Sequence, residues 1–348
     1  MTTPKRVNAK PQTTLKDIAQ ATNLSVATVS RILAGKAKFA QETRERVESV
    51  SQAMGYRPNR LVAGIQTGHT GMIGAILPIH AWWGAHLMVG LQQELARSGY
   101  VPIVLDCPSR DVSEPEMIYS LLDRRVEGVI LFPGDDGVSD EYFGEIHSRN
   151  IPLVTVIRRL ERAKCHIIEV DDHESGRLAA EHLLSLGHRH LAQITGPWSI
   201  STGRNRAEGF WRAAMGSKGA TVAQVVMPQF IPEDDLIRAF LDNHPSVTGI
   251  YCASEAIALG LYGLAKARGL RIPEDLSVIS HGAYHAAEIV SPKLTAVEDN
   301  TLLIGQEAAR AMLGLIRGEI SGEAFVERRI PVHLVVREST AAPRGAGK

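Results

Sequence analysis

The sequence predicts an α/β protein in two parts, a small helical head and a two-lobed body in which helices alternate with strands of doubly wound parallel sheets. Three observations predict it. Residues 14–54 carry helix-entry signals and apolar residues at helical spacing, with no strand-like run. From Gly71 onward, short apolar runs alternate with helical patterns. Charge is also segregated: residues 1–67 hold 11 Lys/Arg against 4 Asp/Glu, a net +7, leaving 27 against 34, a net −7, in the remainder. A basic head on an acidic body fits a module for a polyanion; a basic tail attracted to any polyanion is the competing reading.

The head reads as three short helices. Thr14 and Asp17 form a Thr-x-x-Asp entry, and Leu15, Ile18 and Ala19 fall on one face behind it. Asn23 and Leu24 break that helix. Ser25 caps a second one, Val26 to Leu33, stopped near Gly35, with Leu24, Val29 and Ile32 inward. The third, Gln41 to Met54, has Ala40 where a hydroxyl cap belongs; it sets Val47, Val50 and Met54 on one side and ends at Gly55. Pro58 and Asn59 then open a short linker segment, Arg60 to Thr67, with the length of two helical turns and weakened by Gly64.

In the body, Met72–Leu77, Val101–Leu105, Val126–Phe132, Leu153–Ile157, Leu191–Thr195, Thr248–Cys252 and Leu276–Ser280 read as buried parallel strands. Helices are expected between them, among others at Ala85–Ser98, Pro115–Arg124, Ser175–Leu186, Arg204–Lys218 and Glu255–Arg268. About ten such units exceed one sheet and point to two lobes with a cleft, where ligands bind beyond the carboxyl ends of strands.

The stretch Thr14 to Gly35, TLKDIAQATNLSVATVSRILAG, resembles the DNA-binding head of the lactose/galactose repressor (LacI/GalR) family. Gln41–Val47 (QETRERV) and Gly55–Asn59 (GYRPN) extend the likeness. It continues through Gly187-His188, Gly196-Pro197, Arg206–Phe210 (RAEGF), Ile272–Val278 (IPEDLSV) and Val335–Thr340 (VVREST), nearly the whole chain. The resemblance implies a helix-turn-helix head at 14–57 behind a basic tail at 1–13 and a hinge helix at 58–68. It implies a periplasmic-binding-protein-like, effector-binding and dimerising body at 69–340, and a tail at 341–348. The first lobe is expected at about 69–160 and 292–320 and the second at about 161–291 and 321–340. The chain then crosses near 158–167, 288–293 and 318–323.

The implied function is a homodimeric transcriptional regulator, mostly repressing, that binds a near-palindromic operator in double-stranded DNA under control of a sugar, sugar acid or sugar phosphate. A co-repressor-dependent or dual regulator of the same family is the alternative. Family positions put base reading on Val26, Ala27 and Arg31, where short or forked side chains suit the major groove; core packing competes for Val26 and Ala27, and a solvated arginine or helical ion pair for Arg31. Thr14, Ser25, Thr28, Ser30, Lys38 and Tyr56 suit phosphates. In the hinge, Asn59, Arg60, Val62 and Ile65 are the implied minor-groove contacts. Ile65 stands where leucine is usual, and Gly64 weakens the helix behind it.

For the cleft, His80, Trp83, Arg158, Arg206, Ser254, Glu255 and His281 are the candidate lining residues. Trp83 and His80 follow the first strand, and core packing competes for Trp83. Arg206 matches an arginine that holds effector hydroxyls or carboxylates in relatives. Ile157 replaces an aspartate, Ser254-Glu255 stands for Asn-Asp, and His281-Gly282 for Phe-Asp. Fewer acceptors beside retained cations led to an expectation of an anionic sugar derivative.

Other classes find less support. Phosphate-loop, nucleophile-elbow, zinc-protease and Cys-x-x-Cys signatures are absent from the sequence, so no enzyme and no cofactor is expected. His182, His188 and His190 span a helix end and a strand start, which disfavours a metal. Met1–Lys10 lacks the apolar stretch of a secretory signal, no run reaches the ~18 apolar residues of a membrane span, and a cytoplasmic protein is expected. A solute-binding protein would need an export signal and no basic head. Cys107, Cys165 and Cys252 match no metal or redox spacing and read as buried thiols.

Overall fold

The computed structural model describes residues 13–33, 35, 39–57, 69–106, 113–134, 141–160, 165–320 and 325–344. The chain falls into two compact units, one ending at Thr70 and one beginning at Gly71.

The first unit is three helices, α1 (Leu15–Thr22), α2 (Val26–Leu33) and α3 (Gln41–Ala53), around Ile18, Ala19, Val29, Ile32 and Val47. Thr14 and Asp17 make the expected capping box, and Asn23 ends α1 in the left-handed conformation that its short amide side chain tolerates. The Arg46 guanidinium donates to the Thr22 carbonyl at 3.0 Å, closing the end of α1 onto α3. Ala40 precedes α3 with no side-chain cap, as expected. Met54 is exposed, not inward, because α3 stops at Ala53 and the turn into Gly55 carries its side chain out.

The second unit holds two six-stranded sheets. The first contains β1 (Met72–Leu77), β2 (Val101–Asp106), β3 (Val129–Leu131), β4 (Leu153–Ile157), β5 (His166–Val170) and β11 (Glu327–Ile330), in the order β11-β5-β4-β3-β1-β2, all parallel. The second contains β6 (His190–Thr195), β7 (Thr221–Val226), β8 (Gly249–Cys252), β9 (Ser277–His281), β10 (Thr295–Glu298) and β12 (His333–Val335), in the order β12-β10-β9-β8-β6-β7, with only β12 antiparallel. The helices are α4 (Trp82–Arg97), α5 (Glu114–Asp123), α6 (Glu141–Ser148), α7 (Asp172–Ser185), α8 (Ser201–Met215), α9 (Asp234–Asn243), α10 (Glu255–Ala267), α11 (His285–Ile289) and α12 (Thr301–Ile316). Apolar clusters lie on both faces of each sheet, which is why the central strands are continuous apolar runs.

Three crossings join the lobes, each later in the chain than expected. Strand β5 pairs with β4 before the chain leaves the first lobe, β10 pairs with β9 before it returns, and β11 pairs with β5 before the last crossing. Hydrophobic spacing shows that such a segment is extended but not which sheet edge will take it. Of the edge strands, β11 is polar and β12 is three residues long, so neither carries an apolar run, whereas the edge strand β2 does.

Each lobe contains a pair of helices in backbone contact, α4 with α12 and α7 with α8. Where α7 meets α8, a β-carbon on Gly176 would collide with the Arg206 carbonyl, and one on Gly209 with the His173 carbonyl. Of the cysteines, Cys252 is buried, Cys165 is only half-buried, and Cys107 lies outside the described residues.

Candidate functional site

On the head, helical spacing that turns Val29 and Ile32 inward turns Ala27 and Arg31 outward, and Val26, one turn before Val29, stays exposed at the start of α2. Val26 is 40% exposed and Ala27 and Arg31 are exposed, so Val26 and Ala27 are not core residues. No ion pair involves Arg31 among the described residues. Ser25 and Thr28 bond each other, their oxygens 2.8 Å apart, and the Thr28 N–H donates to Ser25 Oγ at 3.1 Å, which starts α2. Thr14 is likewise engaged with Asp17. Ser30 is half-exposed, and Tyr56 packs against the head core, which raises its phenol above the ordinary value by burial. Lys38, Asn59, Arg60, Val62 and Ile65 lie outside the described residues. Thr14→Ala should lower the head's unfolding free energy by about 1 kcal/mol, the usual loss for a capping hydroxyl, measured by thermal unfolding of the full chain.

In the body, the carboxyl ends of β8, β9 and β10 and the first turn of α7 meet in a buried polar cluster. The Arg206 Nε donates to Asp172 Oδ1 at 2.6 Å and its Nη1 to the Ala253 carbonyl at 2.8 Å. Only 7% of Arg206 is exposed. Burial works against its charge, but Asp172 and Asp299 hold the guanidinium protonated above its ordinary value. The close α7–α8 crossing makes this pair: Asp172 starts one helix and Arg206 lies on the other.

His281 Nδ1 is 2.8 Å from Ser175 Oγ, which is 3.0 Å from the Tyr251 hydroxyl. Its Nε2 stands 3.4 Å from Asp299 Oδ2 but out of line for a hydrogen bond. The Tyr284 hydroxyl donates to Asp299 Oδ1 at 3.1 Å; it reaches because Gly282, with a φ of 80°, has no β-carbon where the Tyr284 ring folds back. Burial alone would raise the Asp299 carboxyl, yet His281, Arg206 and Tyr284 together hold it below its ordinary value. Burial, aided by the Arg206 cation, pushes His281 down, so the imidazole is neutral at pH 7. The Ser–His–Asp sequence of contacts is no catalytic triad: Ser175 is fully buried and its oxygen is shared with Tyr251.

The expected lining residues divide. Arg206 and His281 belong to this cluster. Arg158 approaches it from the first lobe, with Nη1 on the carbonyls of Pro133 and Gly134 and its guanidinium 4.2 Å over the Phe132 ring. Ser254 caps α10 and donates to the Phe230 carbonyl at 2.9 Å. Glu255 is buried and accepts from the Tyr284 and Ala287 N–H groups, both at 2.9 Å, so it starts α11. Trp83 packs edge-on against Phe132 with ring centres 5.1 Å apart, within the first-lobe core. His80 is exposed and pairs with Asp106 at 2.9 Å, outside the buried cluster.

Asp172, Ser175, Phe230, Tyr251, Tyr284 and Asp299 were not among the expected residues. The acid directly after a strand, in Val170-Asp-Asp172 and in Val297-Glu-Asp299, was the available signal. Two of these are acids that offset the Arg206 charge, Asp172 in direct contact and Asp299 through space, while burial raises the Asp172 carboxyl above its ordinary value. His182 and His190 bond Thr340 and Thr221, and His188 bonds Thr248 and Ser277, so each ring serves a different contact.

Burial lowers the pKa of His166, His182, His188 and His281. Below about pH 6.5 the unfolded chain binds protons at these rings that the folded chain does not, so unfolding becomes easier as pH falls. Stability should therefore be highest above pH 6.5 and decline through the range below it. Urea titrations at several pH values should show a flatter decline for His281→Gln.

Residues 14–59 match the lacI family of bacterial regulatory proteins, and residues 180–340 match a periplasmic binding protein-like domain. The HTH-type transcriptional regulator reg1 of Streptomyces lividans is 30% identical over 345 residues, 96% of this chain and 98% of that protein. The ribose operon repressor of Halalkalibacterium halodurans is 29% identical over 332 residues, 94% of this chain and 97% of that one. Among solved structures, a transcriptional regulator CelR–cellobiose complex is similar with a TM-score of 0.70 and 26% identity, covering 94% of this chain and 100% of that one.

Proposed function

The chain belongs to the lacI family of bacterial regulatory proteins, and on that footing we propose that it represses sugar-metabolism genes as a cytoplasmic homodimer whose hold on operator DNA is set by a neutral sugar in the cleft. The observation that carries the DNA half of this reading is the outward row Val26, Ala27 and Arg31 at the start of α2. In this reading Arg31 takes a guanine edge, Val26 and Ala27 meet thymine methyls, and Thr14, Ser25, Thr28, Ser30, Lys38 and Tyr56 meet phosphates. Asn59, Arg60, Val62 and Ile65 enter the minor groove at the operator centre. Edge strands β2 and β7, with half-exposed Ile103, Leu105 and Val222, support a dimer in which each copy covers the other. Among the described residues no helix is long and apolar enough to cross a membrane.

The balanced charge around Arg206 supports a neutral polyol over a sugar acid or phosphate. Selection of bound genomic fragments, followed by calorimetry with neutral sugars and their phosphates, tests both halves. Failure to prefer any duplex removes the operator reading; tight binding of a phosphate with no binding of neutral sugars removes the effector assignment. Arg31→Ala should lower discrimination at one base pair roughly tenfold to a hundredfold, with unchanged thermal stability because the side chain is exposed. Competition gel shifts with single-base operator variants measure it.

A further inference from the structure

Arg158 reaches from the first lobe toward the second, and the chain makes an uncommon turn to aim it. Ile157, at the end of β4, has a φ of 66°, a conformation that β-branched residues avoid. The Arg158 N–H donates back to the Val156 carbonyl at 2.7 Å, forming a γ-turn of the strained hand. Such strain persists where the surroundings over-determine it, often at clamps and switches.

From that turn the guanidinium lies over Phe132 of its own lobe and 5.6 Å from the ring of Phe230 in the other. Phe230 is held firmly. Its ring packs on Gly196, where a β-carbon would collide with three ring atoms, and its carbonyl accepts from Ser254 Oγ. Arg206 faces the same ring at 5.9 Å, so Phe230 meets one guanidinium from each lobe. Two further contacts bridge the lobes beside it: the Arg159 N–H donates to Ser201 Oγ at 3.2 Å, and the Trp82 and His285 rings lie 5.3 Å apart.

We propose that Arg158 is a built-in tether between the lobes, closing the cleft through Phe230 and competing with the effector for the face of that ring. Sequence alone places Arg158 among the candidate lining residues of the effector cleft. Its Nη1 serves the carbonyls of Pro133 and Gly134, and its flat cation does the bridging. The tether rests on the effector-site reading only in its competition step; the closure step is independent of DNA and effector.

Hydrogen-exchange mass spectrometry on the full chain, purified with neither DNA nor sugar, tests the closure step. Arg158→Ala should speed exchange of segment 227–233, in the opposite lobe, by roughly threefold to thirtyfold, the range of a partly desolvated cation–π contact. Added to Phe230→Leu, it should produce no further rise, because the two changes remove one contact. Arg158→Lys, which keeps the charge and stem, should give a smaller rise and stands in if the alanine variant does not fold. Unchanged exchange at 227–233 in a folded variant, or effects of the two substitutions that multiply, would overturn the tether.

Discussion

Arg206→Ala will lower the stability of the body by roughly 3–5 kcal/mol, the loss expected when one partner of a buried ion pair is removed. The size follows from what remains. Asp172 would keep its burial and lose the guanidinium it pairs with, and Asp299 would lose a nearby positive charge. The Ala253 carbonyl at the end of β8 would lose its donor as well. Urea unfolding followed by circular dichroism measures the loss. The double variant Arg206→Met with Asp172→Leu should regain a substantial part of it, since replacing both buried charges by apolar groups is often close to neutral. On the proposed reading it should not regain a sugar response, because the polar pair assigned to the effector site is gone. A single variant as stable as the wild type would show that Asp172 and Arg206 do not form the pair described.

Gly209→Ala will destabilise by about 3 kcal/mol, the upper end for forcing volume into a packed interior. Its β-carbon would meet backbone, not a flexible side chain, and Gly176 allows no retreat on the facing helix. The helices α7 and α8 must then separate, carrying Arg206 away from Asp172. This variant should therefore couple to Arg206→Ala: the combined loss should fall short of the sum of the two, as expected for sites sharing one contact. Strict additivity, read from the same denaturation curves, would mean that the helix crossing and the ion pair are independent.

Much of the head could be read directly. The Thr14–Asp17 box, the Ser25 cap and the uncapped start at Ala40 are local signals whose hydrogen bonds lie within four residues. Exposure of Ala27 and Arg31 follows from the same helical period, whereas Val26, one turn before Val29, is exposed because it starts the helix. In the body, central strands such as Met72–Leu77 and Leu153–Ile157 were legible because both sheet faces are covered, whereas β11 and β12 were not. The cleft was half legible: the family resemblance pointed to Arg206 and His281, but six of their neighbours come from segments far apart in the chain.

The sequence by itself determined the fold class, the family and the outward row of α2, since each rests on short-range spacing or on motifs that stand in the chain as written. Tertiary structure alone decided the partnership of Arg206 with Asp172, the supply of Asp299 where neighbouring strand ends lack their usual acid, and the reach of Arg158 to Phe230. Those outcomes depend on which strand ends lie side by side and on how closely two glycine-bearing helices approach. Charge balance in a buried site is a property of neighbours in space, and neighbours in space are what one-dimensional spacing does not contain.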